Sequence, residues 1–147
     1  MSNYKSAIST YIWPGQLHLG LGAAELAGQE ASARGAKRIF VVADPGVIAA
    51  GLLQPVEASL RALGLFYQVY DEVKPNPDVA SVEAAAATFR ESGADFIIGV
   101  GGGSAMDTAK AARLLADGQA HIMEYDLLLS PKAVSYTHLT LPTILRV

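Results

Sequence analysis

The 147-residue chain is the size of one ordinary domain, large enough to remove about two thirds of its unfolded surface from water. With 51% hydrophobic and 17% charged residues it is not a disordered chain. A net charge of -3 with no basic run excludes a nucleic-acid footprint. The absence of cysteine excludes disulfides and thiolate metal sites, which is compatible with a cytoplasmic protein.

Residues 6–24 carry no Asp, Glu, Lys or Arg, in the manner of a secretory leader. Pro14, Gln16, His18 and several glycines interrupt the stretch, however, and no run anywhere reaches the roughly 18 apolar residues of a membrane span. Residues 23–34 read as a helix stopped by Gly35. "RIFVVAD" (38–44) reads as a strand ending in Asp44, and Asp44 followed by Pro45 can cap the short helix that "PGVIAAG" begins. A second helix, 53–63, stops at Gly64, and "FYQVYD" (66–71) is the second strand. The turn "KPNPD" (74–78) holds Asn76 between two prolines. Asp78 then caps a helix over 79–92, which Gly93 ends. "DFIIGVG" (95–101) is the third strand, and a helix over 104–116 follows the triple glycine.

Each strand is apolar through most of its length, as expected where both faces are covered. Alternating strands and helices predict a Rossmann-like α/β fold, a parallel sheet with flanking helices. Right-handed crossovers then bring all three strand C-termini to one edge, where such sheets bind ligands. Asp44, the 74–78 turn and the glycines all fall at that edge.

The glycines of "GVGGGSAMDTAK" (99–110) permit positive φ and close approach of a ligand to the backbone. They precede a helix N-terminus, whose free N–H groups and positive dipole end suit a phosphate. Neither G-x-G-x-x-G nor the P-loop pattern is present. The alternative is a plain strand-to-helix turn with Ser104 as N-cap and Asp107 completing a capping box. A carboxylate at Asp107 repels a bound phosphate, so it organises the turn or meets a hydroxyl or amide; Lys110 can pair with it at i,i+3. Ala105, Ala109, Ala112 and Ala116 share a face that lets the helix lie close on the sheet. Asp44 either takes ribose hydroxyls, which would favour NAD over NADP, or is only a cap. Asn76 is either a site residue or simple turn chemistry.

These segments resemble the iron-containing (group III) alcohol dehydrogenases. "GGGSAMDTAK" is similar to the signature GGGS-x-x-D-x-x-K, "VVADPGV" (41–47) to the family's second-strand segment, and "DEVKPNPDVASVE" (71–83) to its PNP segment. The block "SGADFIIGVGGGS" (92–104) also fits, and the opening "IWPGQLHLGLGAAELAG" is similar to the first strand and helix. The resemblance covers about residues 8–132. It implies that Asp44, Asn76, Gly101, Gly102, Gly103 and Ser104 contact NAD, with NADP less favoured, and Asp107 is grouped with them. It implies hydride transfer between an alcohol and an aldehyde, iron or zinc in a C-terminal helical domain, and a homo-oligomer. The expected metal ligands, an Asp and three His, are not matched by His18, His121 or His138, so no metal or catalytic residue is assigned to this chain. Residues 1–134 read as an incomplete dinucleotide-binding domain. Residues 135–147, "SYTHLTLPTILRV", stand where a threonine-rich loop is expected and read as a foreign or diverged tail. A dehydroquinate-synthase-like lyase or glycerol-phosphate dehydrogenase on the same scaffold, or a non-catalytic nucleotide-binding fragment, are the other readings.

Overall fold

The three apolar runs become three parallel strands: β1 (Arg38–Ala43), β2 (Phe66–Tyr70) and β3 (Phe96–Val100). They belong to a computed structural model of the chain that describes residues 17–116. Strand order is β2-β1-β3, with Val41 opposite Val69 on one side and Ile98 on the other. Successive β1 side chains point to opposite faces, so one strand feeds two cores. Ile39, Val41 and Ala43 pack with α1 (Ala27–Ala33) and α3 (Gln54–Ala62), and α2 (Pro45–Ala49) adds Val47 and Ile48. Phe40 and Val42 pack with α4 (Val79–Ser92) and α5 (Gly103–Ala116). The Phe40 ring lies 5.5 Å from that of Phe89 and 5.7 Å from that of Tyr70, within the range of favourable tilted pairs.

The expected cover on both faces holds for β1 and β3 but not for β2. Its residues alternate, and Phe66 is 73% exposed. Among the described residues β2 has a strand neighbour on one side only, and an edge strand needs only one buried face.

Gly35, Gly64 and Gly93 stop their helices as expected, each with positive φ. The helix expected over 23–34 divides into a 3-10 turn at Ala23–Leu26 and the α-helix from Ala27. No side chain caps its start, which follows a left-handed Gly22; the Ala23 and Glu25 N–H groups donate instead to the Gly20 and Gly22 carbonyls, three residues back, as a 3-10 turn does. Residues 17–22 form no strand, and the rest of the expected first strand lies outside the described residues. The alanine face behaves as predicted: Ala105, Ala109 and Ala112 are fully buried, and Ala116 packs beside them.

One close approach carries no local signal in the sequence. The Gly28 N–H donates to Ser59 Oγ at 3.0 Å, so α3 satisfies a first-turn donor of α1. A Cβ at Gly28 would lie 2.5 Å from the Ser59 carbonyl oxygen.

Candidate functional site

After β2 the chain passes back across β1 to β3, so strand order reverses between β1 and β3. Such a reversal opens a crevice at the C-terminal ends of the two strands. Ala43 and Val100 are register partners there, and the Asp44 N–H extends the ladder to the Val100 carbonyl at 3.1 Å. Asp44 and the glycine turn are thereby held side by side.

The glycines have different reasons to be glycine. Gly101 has φ 141°, and a Cβ on it would lie 2.9 Å from the Asp44 Cβ and 3.1 Å from that of Ala105. The fold itself requires it. At Gly99 a Cβ would sit 3.2 Å from the Ala109 Cβ, so the absence of a side chain lets α5 lie on β3. Gly102 and Gly103 have neither constraint: φ is not left-handed, and a Cβ on either meets no described atom within 4 Å. Both are exposed, at the N-terminal end of α5. Nothing in the described fold asks for glycine at these two positions. Bare backbone at a helix N-terminus, with its positive dipole end and free N–H groups, is an arrangement that can admit an anion.

Ser104 departs from its expected role. The Met106 N–H donates to the Gly102 carbonyl, so α5 begins at Gly103 and Ser104 lies inside the first turn rather than capping it. Its Oγ instead accepts the Asn76 N–H at 3.3 Å. The capping box with Asp107 does not form, because Ser104 is in helical geometry and its hydroxyl is engaged by the 74–78 turn. Asp107 points away to Lys110, with Oδ1 3.6 Å from Nζ, both exposed, which is the i,i+3 pair the spacing predicted. Asn76 sits at φ 50°, uncommon for a non-glycine residue. Asp44 caps α2 as expected: Oδ1 accepts from the Gly46 N–H at 2.7 Å, with Pro45 in the first turn.

Two contributors escaped the sequence reading. Gly99 was seen only as one of many glycines. Thr108, fully buried, donates from Oγ1 to the backbone carbonyl of Ser104 at 2.8 Å, which satisfies its hydroxyl inside the core; a threonine within an otherwise alanine-rich helix face was its available signal.

Asp78 caps α4 as expected. It accepts the Ser81 N–H at 2.7 Å, and the Ser81 hydroxyl returns a bond to the Asp78 carbonyl. The Ser81 N–H first, and the Ser81 side chain beside the carboxylate, hold the Asp78 carboxyl below its ordinary range, and Lys74 assists. A depressed folded value means the stabilisation is full above the unfolded pKa, about 4, and is lost as pH falls through the folded value. Thermal melts over about pH 5 to 2.5 are expected to show a smaller acid-induced drop in Tm for Asp78→Asn than for the unsubstituted chain. Equal drops would mean the charge of the cap contributes nothing.

His18 pairs with one acidic neighbour. Its Nε2 lies 3.2 Å from Glu30 Oε1, Glu30 also pairs with Arg34, and no group of three metal-ligating side chains occurs among the described residues. His121, His138 and the 135–147 segment lie outside the described residues. No described helix is long and apolar enough to cross a membrane.

A parallel sheet with helices on both faces and a glycine turn at its switch point defines the Rossmann-like class. Within that class, the sequence model of iron-containing alcohol dehydrogenases matches residues 14–145, and the chain belongs to this family. That match reaches into the segment set apart as a tail. The chain is 37% identical over 119 residues to long-chain-alcohol dehydrogenase 1 of Geobacillus thermodenitrificans, covering 81% of this chain and 30% of that protein. It is 39% identical over 109 residues to 4-hydroxybutyrate dehydrogenase of Cupriavidus necator, covering 74% and 28%. The crystal structure of sulfoacetaldehyde reductase from Bifidobacterium kashiwanohense, in complex with NAD+, matches with a TM-score of 0.70 at 29% identity, over 81% of this chain and 31% of that one. The chain thus spans less than a third of the length of each of these relatives.

Proposed function

We propose that the chain is the N-terminal, NAD-binding part of a metal-dependent alcohol dehydrogenase. The observation that carries this reading is the pair Gly102–Gly103, where the backbone is left bare at a helix N-terminus for no reason internal to the described fold. The NAD+ held by the sulfoacetaldehyde reductase supports it from outside. The pyrophosphate would rest on the first N–H groups of α5, with Gly101 shaping the turn and Ser104 alongside. Asp44, whose Oδ1 is committed to the cap, would offer its other oxygen to the ribose hydroxyls and repel a 2′-phosphate. Asn76 stands beside Ser104, and Asp107 would meet a hydroxyl or amide rather than phosphate. A bound nicotinamide would supply hydride-transfer chemistry, and an iron or zinc ion would supply polarisation of an alcohol or aldehyde oxygen. The metal and substrate contacts belong in this reading to residues beyond the described ones, so the chain's own work is to bind and orient the cofactor.

Calorimetric titration of NAD+ and NADP+ into the purified chain tests the assignment. Asp44→Asn keeps an N-cap and removes the charge, so it is expected to relax the preference for NAD+ by about tenfold, the scale of one desolvated charge contact. Unchanged selectivity would leave Asp44 as a cap alone. The same preparation, supplied with NAD+, an alcohol and iron or zinc, is expected to produce no NADH. Turnover that scales with chain concentration and disappears with a chelator would overturn the division of labour proposed here.

A further inference from the structure

Among the described residues β2 ends the sheet on one side, and it does so without the usual protection. Edge strands commonly carry lysine or proline, which discourages a further strand. Phe66–Tyr70, "FYQVY", holds no charge, no proline and no glycine, and apart from Gln68 consists of strand-favouring residues. The Phe66 N–H donates to the Lys37 carbonyl, on the β1 side. Alternate residues of a parallel strand bond to the same neighbour. Gln68 and Tyr70 therefore also turn their N–H and C=O groups to β1, and Tyr67 and Val69 turn theirs to the open edge. Phe66 and Gln68 are exposed on the face whose last residue, Tyr70, is buried.

Charge is distributed unevenly along this edge. Lys37 and Arg38 stand at the Phe66 end, with the Arg38 guanidinium 6.0 Å from the centre of the Phe66 ring, while the Arg61 charge there is offset by Glu57. Asp71 and Glu72, both exposed, stand at the Tyr70 end, and the next cation, Lys74, is paired with Asp78. A second such strand laid antiparallel brings basic ends to acidic ends, whereas one laid parallel brings like ends together.

We propose that the β2 edge is an interface between two copies of this chain, paired antiparallel about a two-fold axis at Gln68. In that register Tyr67 of each copy exchanges both main-chain hydrogen bonds with the partner's Val69. Phe66 lies opposite the partner's Tyr70, Gln68 meets its own copy on the axis, and Arg38 approaches the partner's Glu72. The contact uses the same patch on both copies and closes at two. A single short strand on each side makes a small interface, so the dimer is reversible, with a Kd on the order of 100 μM. This pairing does not depend on the cofactor reading.

Sedimentation equilibrium of the 147-residue chain, over about 5–500 μM, is expected to follow a monomer–dimer scheme. Val69→Pro removes an outward N–H without touching the β1 ladder. It should weaken the dimer about thirtyfold, the scale of two hydrogen bonds, with the far-ultraviolet spectrum retained. Gln68→Lys, at a position exposed in the single chain, places like charges on the axis and should weaken the dimer about fivefold; it carries the test if Val69→Pro does not fold. The chain has no cysteine, so Gln68→Cys supplies a single thiol. Directly opposed residues that do not bond to each other stand about 4.5 Å apart at Cα, within disulfide reach. Mild oxidation should therefore join two copies of Gln68→Cys, and should not join Ala58→Cys, whose thiol is exposed on α3. A chain that stays monomeric throughout, as it would if its own residues outside 17–116 cover β2, overturns the pairing. Assembly that does not stop at two overturns it as well. So does a dimer that Gln68→Lys leaves intact or that Gln68→Cys does not cross-link, because it then uses another surface.

Discussion

Gly102→Val is expected to weaken NAD+ binding at least about tenfold while leaving the melting temperature within a few degrees of the unsubstituted chain. The two halves of this expectation come from the same geometry. A Cβ at 102 meets no described atom within 4 Å, and φ there is not left-handed, so the folded chain can accept a side chain. The isopropyl group then occupies the space through which an anion reaches the free N–H groups of α5. Gly101 is the internal control. Its φ of 141° and the 2.9 Å approach of a Cβ to Asp44 mean that Gly101→Ala should damage the fold itself. Calorimetry paired with thermal melts reads both quantities on each variant. Normal NAD+ affinity in Gly102→Val would make the turn structural and remove the observation on which the cofactor reading stands. A collapse of stability in Gly102→Val would show that residues outside 17–116 pack on this turn.

Gly28→Ala is expected to destabilise the chain by about 1–3 kcal/mol, roughly 3–10 °C in Tm for a domain of this size. The sign is opposite to that of helix propensity, which favours alanine over glycine by about 1 kcal/mol in a helix interior. Steric collision decides the outcome. The new Cβ would lie 2.5 Å from the Ser59 carbonyl oxygen and 2.7 Å from its carbon, and neither is the end of a flexible side chain. α1 and α3 must separate, which opens the packing around Ala27, Ala31, Val56 and Leu60 and stretches the Gly28 N–H to Ser59 Oγ bond. Ser59→Ala removes only that bond and should cost less, about 1 kcal/mol. Denaturant titration of both variants checks the order. A Gly28→Ala chain as stable as the original would mean the two helices are not held at this distance.

The elements of this protein are written locally. Gly35, Gly64 and Gly93 close helices wherever they are placed, because a left-handed C-cap needs only the residue and the turn before it. Asp44 and Asp78 cap from their own positions, with acceptors two and three residues from the donors. Runs of β-branched and apolar residues between helices are enough to imply a parallel sheet with its ligand edge at the strand C-termini. The signature around Gly101–Lys110 pointed to the family before any geometry was known.

Where these residues stand was decided by elements far apart in the chain. Strand order, and with it the crevice between β1 and β3, depends on which side of β1 the chain returns to after α4, and no short stretch encodes that side. Local pattern made Ser104 an N-cap, but a turn 28 residues earlier takes its hydroxyl, and the helix starts one residue sooner. β2 reads as a covered strand by composition and is an edge strand by position among the described residues. The glycines show the division most directly. Gly28, Gly99, Gly101, Gly102 and Gly103 are the same letter in the sequence, and a missing side chain has a meaning only relative to what stands where the Cβ would be. At 28 that is another helix, at 99 the face of α5, at 101 Asp44, and at 102 and 103 no described atom at all. Propensities and caps act over three or four residues and are legible in one dimension, whereas close approach is a property of packed surfaces and exists only after the elements have met.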